Sequence, residues 1–191
     1  KGQIYQTEGR IELIAHDISD HFQNFKKQGL KGQLACDSKA SAIRYKKVLD
    51  QIGKVTSVVA MSPPDTREGH EEVDQESKDI VQAWWKEYVA KGYGQDEKAY
   101  TKAIIQDFGR DVGPDLMIVV DKLLTGFDEP KNTVLYIDKP LKEHNLIQAI
   151  ARVNRLHSKK QFGYLIDYRG ILKELDMTIE KYQKLAERNQ H

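Results

Sequence analysis

Apolar residues recur at helical spacing at Ile11, Ile14, Ile18, Phe22 and Phe25, which predicts an amphipathic helix ending near Gly29. A short apolar run from Gln33 to Cys36 then meets Asp37-Ser38, a natural N-cap, and behind it Ala42, Tyr45, Leu49 and Ile52 share one helical face that closes at Gly53. Val55 to Met61 is rich in β-branched residues and predicts a strand. Ser62-Pro63-Pro64 opens a polar stretch expected to be loop. Two helical segments follow, one carrying Val81, Trp84, Trp85 and Tyr88, the other Tyr100, Ile104 and Phe108. Three further strands are predicted at Leu116 to Val120, Thr133 to Ile137 and Gly163 to Asp167, with helices at about 143–156 and 170–188. Strands this apolar, alternating with helices, are buried on both faces, so the pattern predicts an α/β fold with a parallel sheet. Ligands of such sheets bind beyond the carboxyl ends of the strands. The loops to examine therefore follow Cys36, Met61, Val120, Ile137 and Asp167.

Composition narrows the picture. The 191 residues are 39% hydrophobic and 31% charged, enough apolar material for one domain with its own core. A single cysteine, Cys36, excludes a disulfide scaffold and a multi-cysteine metal cluster, and it fits a reducing, cytoplasmic compartment. No apolar run has the length of a membrane span or of a secretory leader. No metal-ligand spacing links the histidines, so no metal site is expected in this chain. The formal net charge of +1 argues against nucleic-acid binding through bulk positive charge alone. That sum hides a cancellation. Residues 62–82 hold seven acids and two bases, a net of −5, whereas 139–191 hold eleven bases and six acids, a net of +5.

Absent motifs constrain the chemistry further. The one Gly-Lys pair, Gly53-Lys54, lacks the glycine and hydroxyl residue of a phosphate-cradling P-loop, and Gly92-x-Gly94 has Glu97 at the third glycine position. Asp121 and Asp138 each end an apolar run, as a Mg²⁺-binding acid would; without a P-loop both are expected to be strand-end polar residues. Two literal matches to a PD…(D/E)xK nuclease pattern occur, Pro64-Asp65 with Asp96 to Lys98 and Pro114-Asp115 with Glu129 to Lys131. Such a centre needs its carboxylates and lysine on adjacent strands to hold Mg²⁺, yet Asp96 to Lys98 begins a helix and Pro130 interrupts the second triad. Trp84 and Trp85 are expected to divide between core and contact surface.

Two segments carry more. Thr125-Gly126-Phe127-Asp128 follows the strand ending near Val120 and offers a hydroxyl, an approachable backbone and a carboxylate; by itself it reads as an ordinary turn. In QAIARVNR, Gln148, Arg152 and Arg155 stand at i, i+4 and i+7 on one helical face, with Leu146, Ile150 and Val153 opposite. Such a face is either a solvated basic surface or a rigid donor array suited to the charge on a transferring γ-phosphate.

QAIARVNR resembles motif VI (Q-x-x-G-R-x-x-R) of superfamily 2 helicases, with Ala151 in the glycine position; TGFDEP resembles their motif V, and Ser38 falls in the region of motif IV. The order and spacing resemble the second RecA-like domain of such motors. The stretch LLTGFDEPKNTVLYIDKPLKEHNLIQAIARVNR, followed by GYLIDYRGI, resembles more specifically the motor of type I restriction enzyme R subunits, strongly over 115–175 and more weakly back to Arg10. The resemblance implies a RecA-like sheet flanked by helices, a P-loop NTPase fold without its own P-loop. It also implies one domain over 1–191, with a helical, acidic insertion at about 62–113 and a C-terminal helix at about 170–188.

Carried over by motif, the resemblance gives Gln148, Arg152 and Arg155 to the phosphates of ATP, with the arginines as fingers. Asp128 with Gly126 would hold the nucleotide's ribose side, and Thr125, Ser38 and Lys39 would touch the DNA backbone. ATP and Mg²⁺ would be bound mainly by the first RecA-like domain of the same subunit. The expected partners are that domain, double-stranded DNA and the modification and specificity subunits; no membrane is expected. Lys1 is not an initiator methionine, so the chain is expected to be a piece of a larger subunit, whose activity would be ATP-dependent site-specific DNA cleavage. The alternative is a non-catalytic α/β module whose basic helix docks nucleic acid or protein.

Overall fold

Leu116 to Val119 and the run through Cys36 are too apolar to face water on either side, and they pair accordingly into the interior of one sheet, with Ser57 to Ala60 along one edge. The computed structural model describes residues 8–69, 71–72, 74–124, 129–140, 163–170 and 187–188. The elements run α1 (Glu8–His21), α2 (Gln23–Lys27), β1 (Lys31–Cys36), α3 (Lys39–Ile52), β2 (Ser57–Ala60), α4 (Gln75–Trp85), α5 (Lys91–Tyr93), α6 (Glu97–Gly109), β3 (Leu116–Val119), β4 (Asn132–Asp138) and β5 (Tyr164–Asp167). The five strands form one parallel sheet in the order β2-β3-β1-β4-β5. It is the predicted α/β sheet with helices around it.

Local signals explain most element ends. Ser38 caps α3 by accepting from the Ser41 N–H, and Gly53 ends it at φ 75°, where a side chain would be strained. Asp74 and Asp96 cap α4 and α6 through the N–H groups of Ser77 and Ala99. The acidic stretch is therefore loop only at its start, because Asp74 turns its second half into helix. A π-helical turn, Lys86–Ala90, joins α4 to α5. The predicted first helix is divided at Phe22, although Phe22 N–H still donates to Ile18 and Lys26 N–H to Phe22. β1 begins two residues earlier than its apolar run. Lys31 is buried there, its ammonium on the Pro114 carbonyl at 2.7 Å and over the Phe108 ring at 5.3 Å, with burial lowering its pKa.

The core spans both faces of the sheet. Leu34, Met117, Ile118, Leu135 and Ile137 are buried together with Ile11, Ile18, Tyr45, Leu49 and Phe108 from the helices. Both tryptophans are buried, against the expectation that one would be a surface ring. The Trp84 ring lies 6.0 Å from that of Tyr100 on α6, and Trp85, also buried, lines one surface cavity with Pro63 and Pro64; the exposed ring of this segment is Tyr88. Among the described residues no helix is long and apolar enough to cross a membrane. The predicted helices at 143–156 and 170–188 lie outside the described residues, apart from Gly170 and 187–188.

Candidate functional site

Because all five strands run parallel, Asp37, Ser62, Asp121, Lys139 and Arg169 come out on the same edge of the sheet. The connection from β1 leads through α3 to β2 on one side, whereas β4 leads toward β5 on the other. The crevice between β1 and β4 is thus the topological switch point, the usual ligand-binding place of an open α/β sheet.

That crevice is filled by an ion network. Asp138, only 2% exposed, ends β4 opposite Cys36. Its Oδ1 accepts from Arg169 Nε at 2.7 Å and pairs with Arg10 at 3.0 Å, and its Oδ2 accepts from the Tyr45 hydroxyl at 2.6 Å. Arg169 also pairs with Asp37 at 3.1 Å, and Arg10 donates to the Tyr168 carbonyl. Four elements meet at one carboxylate, α1, α3, β4 and β5's exit, and Arg169 links β1's exit to them through Asp37. Burial works against the Arg169 cation, but the hydrogen bond and charge of Asp138, with Asp37, more than offset it and raise its pKa. Burial, reinforced by Asp138, likewise raises the Tyr45 hydroxyl and the Cys36 thiol. Cys36 is therefore a packed thiol rather than a nucleophile. Asp138 serves its own chain's cations, in keeping with the strand-end reading.

The edge beyond β2 and β3 is organised by another carboxylate. Glu68 Oε1 accepts from the backbone N–H groups of Asp121 and Lys122 at 3.0 and 2.7 Å. Its Oε2 accepts from the N–H and hydroxyl of Ser62 at 2.8 and 2.6 Å. Next to it, Asp121 accepts from the Gly69 N–H and from Lys139. Gly69 is required there: φ is 68°, and a Cβ would stand 2.4 Å from the Asp37 carbonyl oxygen. The start of the acidic stretch is thereby docked closely over the carboxyl edge.

Of the residues singled out by motif, Ser38 and Lys39 lie on this edge. Ser38 is buried as the cap of α3. Lys39 is 4% exposed, its ammonium held by the carbonyls of Pro63 and Thr66 at 2.5 and 2.6 Å, and burial lowers its pKa against the opposing charge of Glu68. Thr125, Gly126, Asp128, Gln148, Arg152 and Arg155 lie outside the described residues. Asp96 caps a helix, with Glu97 and Lys98 in its first turn, so the first nuclease-like match is not built on strands. Asp115 of the second match accepts from the Thr56 N–H and pairs with Lys26. Among the described residues no group of three or more acids, histidines or cysteines is placed to hold a metal ion.

Glu72 carries a measurable consequence. Its Oε1 accepts from the Ala40 N–H at the start of α3, while Oε2 is buried without a hydrogen-bond partner. Burial raises its pKa above the ordinary glutamate value, opposed by the Ala40 N–H and by Arg44. A carboxyl raised on folding binds its proton more tightly when folded, so its ionised form subtracts from stability above that pKa. The deduction fades as pH falls through the folded value toward the unfolded one. Glu72→Gln is expected to raise the melting temperature at neutral pH, and the gain should vanish near about pH 4. Thermal unfolding followed at both pH values checks the sign.

The fold and site define a parallel α/β domain of RecA-like type, with its polar groups collected on the carboxyl-end loops. The chain belongs to the family described as type I restriction enzyme subunit R domain 3, whose model matches residues 14–170. It is 34% identical over 188 residues to the MjaVIIP type I restriction enzyme endonuclease subunit of Methanocaldococcus jannaschii, covering 93% of this chain and 17% of that protein. Identity reaches 49% over 70 residues with the HindI type I endonuclease subunit of Haemophilus influenzae, covering 35% of this chain and 7% of that one. The chain thus spans a small part of the length of these relatives. A solved fragment of a type I restriction enzyme HsdR subunit from Vibrio vulnificus YJ016 superposes with a TM-score of 0.57 at 15% identity, over 85% of this chain and 27% of that one. That likeness speaks for the fold.

Asp37, Tyr45, Glu68, Glu72, Arg10 and Arg169 were not among the residues the motifs marked. The one usable signal was an aspartate ending an apolar run, at Asp121 and Asp138. Arg169 also lies within the quoted block GYLIDYRGI.

Proposed function

We propose that the chain is the arginine-finger half of the ATP-driven, DNA-translocating motor of a type I restriction endonuclease R subunit. The observation that carries the reading is the family match over 14–170, which encloses the Gln148, Arg152 and Arg155 spacing. At the spacing i, i+4 and i+7 these groups suit the charge that develops on a γ-phosphate held by a facing domain. Asp128 and Gly126 serve the ribose side of the nucleotide, and Thr125, Ser38 and Lys39 the backbone of duplex DNA. Lys39 is held by the acidic loop in the described conformation and reaches DNA only when that loop lets it go.

The described residues fit a shared site. The carboxylates of Asp121 and Asp138, strand-end acids on the carboxyl edge, are bound to Lys139, Arg10 and Arg169 of the chain itself. This accords with ATP and Mg²⁺ being held mainly by the first RecA-like domain of the same subunit, where Mg²⁺ would neutralise the phosphates. The remaining partners in this reading are the modification and specificity subunits, in the cytoplasm. With Mg²⁺, ATP and duplex DNA, the isolated 191-residue chain is expected to show no ATP turnover above background in a phosphate-release assay. Sustained turnover would overturn the shared-site reading.

A further inference from the structure

We propose that Glu68 is an internal stand-in for a backbone phosphate of duplex DNA, and that the acidic loop must withdraw it before DNA can engage this edge. The inference rests on the motor reading above and adds to it a device that regulates access to the DNA track.

The argument begins with the donors. Three backbone N–H groups and one hydroxyl, from the separate loops after β2 and β3, converge on one carboxylate that is 7% exposed. Among the described residues no lysine or arginine forms an ion pair with Glu68. Neutral donors aimed at a single point make an anion cradle, and phosphate oxygens accept from backbone N–H groups just as carboxylate oxygens do. The cradle lies on the carboxyl edge, where an α/β sheet receives its ligands.

The same loop blocks the edge in two further ways. It holds the Lys39 ammonium on the carbonyls of Pro63 and Thr66, and it sets Glu72 against the Ala40 N–H. It also belongs to the 62–82 stretch with its net charge of −5, which repels a polyanion while docked. Exchange of Glu68 for a phosphate would therefore vacate the cradle, free a lysine and move negative charge away in one displacement. A chain whose net charge is +1 thereby acquires a DNA-facing edge only when the loop is out.

Amide-resolved NMR of the chain tests this with inorganic phosphate, a short duplex and ATP as probes. In Glu68→Ala, phosphate is expected to shift the amides of Ser62, Asp121 and Lys122 saturably, while the wild type shows no such response at the same concentrations. Duplex affinity should rise about tenfold in this variant, and much less in Glu71→Gln, which removes the same charge from an exposed position of the same loop. If Glu68→Ala does not fold, Glu68→Gln keeps the side chain's length and carries the same expectations. A folded variant whose three amides ignore phosphate overturns the proposal, as does an equal affinity gain in Glu71→Gln. A phosphate response with no duplex binding by any variant overturns the assignment to DNA, and with it the DNA track of the motor reading. Competition by ATP with none by duplex overturns the assignment to DNA.

Discussion

In a full-length subunit carrying this chain, Arg155→Ala is expected to lower ATP turnover by at least about a thousandfold, with duplex affinity almost unchanged. The reasoning is electrostatic. A guanidinium that meets charge only as the γ-phosphate departs contributes to the transition state and little to ground-state binding. Arg152, three residues earlier in the same motif, should behave alike. Lysine at 155 should rescue poorly, because a point charge does not reproduce a planar two-pronged donor. Steady-state hydrolysis with anisotropy-based DNA binding separates the effects. Unchanged turnover sinks the finger assignment, and a parallel loss of DNA binding places the residue on the track instead.

The largest expected effect on stability belongs to Asp138. Removing its carboxylate by Asp138→Ala leaves Arg10 and the Tyr45 hydroxyl without their shared acceptor, and leaves Arg169 with Asp37. Breaking a buried pair from one side typically costs about 3–5 kcal/mol, since the surviving charge stays desolvated. For a domain of this size that is roughly a 10 °C fall in melting temperature. Tyr45→Phe removes one hydrogen bond and should cost about 1–2 kcal/mol. Urea unfolding followed by circular dichroism measures both. A loss below about 1 kcal/mol for Asp138→Ala would show that the network merely decorates the crevice.

What was legible in advance follows the range of the forces involved. The strands were legible because burial on both faces demands uninterrupted apolar residues, and β3, β4 and β5 each lie within about a residue of their runs, whereas β1 and β2 are off by two at their starts. α3 was legible because both its ends are set by residues adjacent in sequence, Ser38 and Gly53. The ion network was not, because Arg10 lies 128 residues from Asp138 and 159 from Arg169, and sequence spacing says nothing about charges brought together by a sheet. The burial of Lys31 and of Trp84 was missed for a related reason: Phe108 and Tyr100, which lie against them, are on another element. Glu68 was hidden in a charge run, where composition suggested a solvated loop rather than one carboxylate docked on the start of its own loop and on the loop after β3. The residues with the most specific motifs, Gln148, Arg152 and Arg155, rest on their spacing and on the family match.

The place of β1 in the sheet has a consequence for how the molecule is made. Among the described residues β1 is the first strand, yet it occupies the middle of the sheet between β3 and β4. During synthesis both its edges stay unpaired until residues 116–119 and then 132–138 emerge. Its earliest possible neighbours are thus separated from it by more than eighty residues, a topology that folds slowly and late. Until then the exposed edges are open to pairing with other chains. Truncations that stop before β4 should accordingly aggregate rather than leave a smaller folded unit.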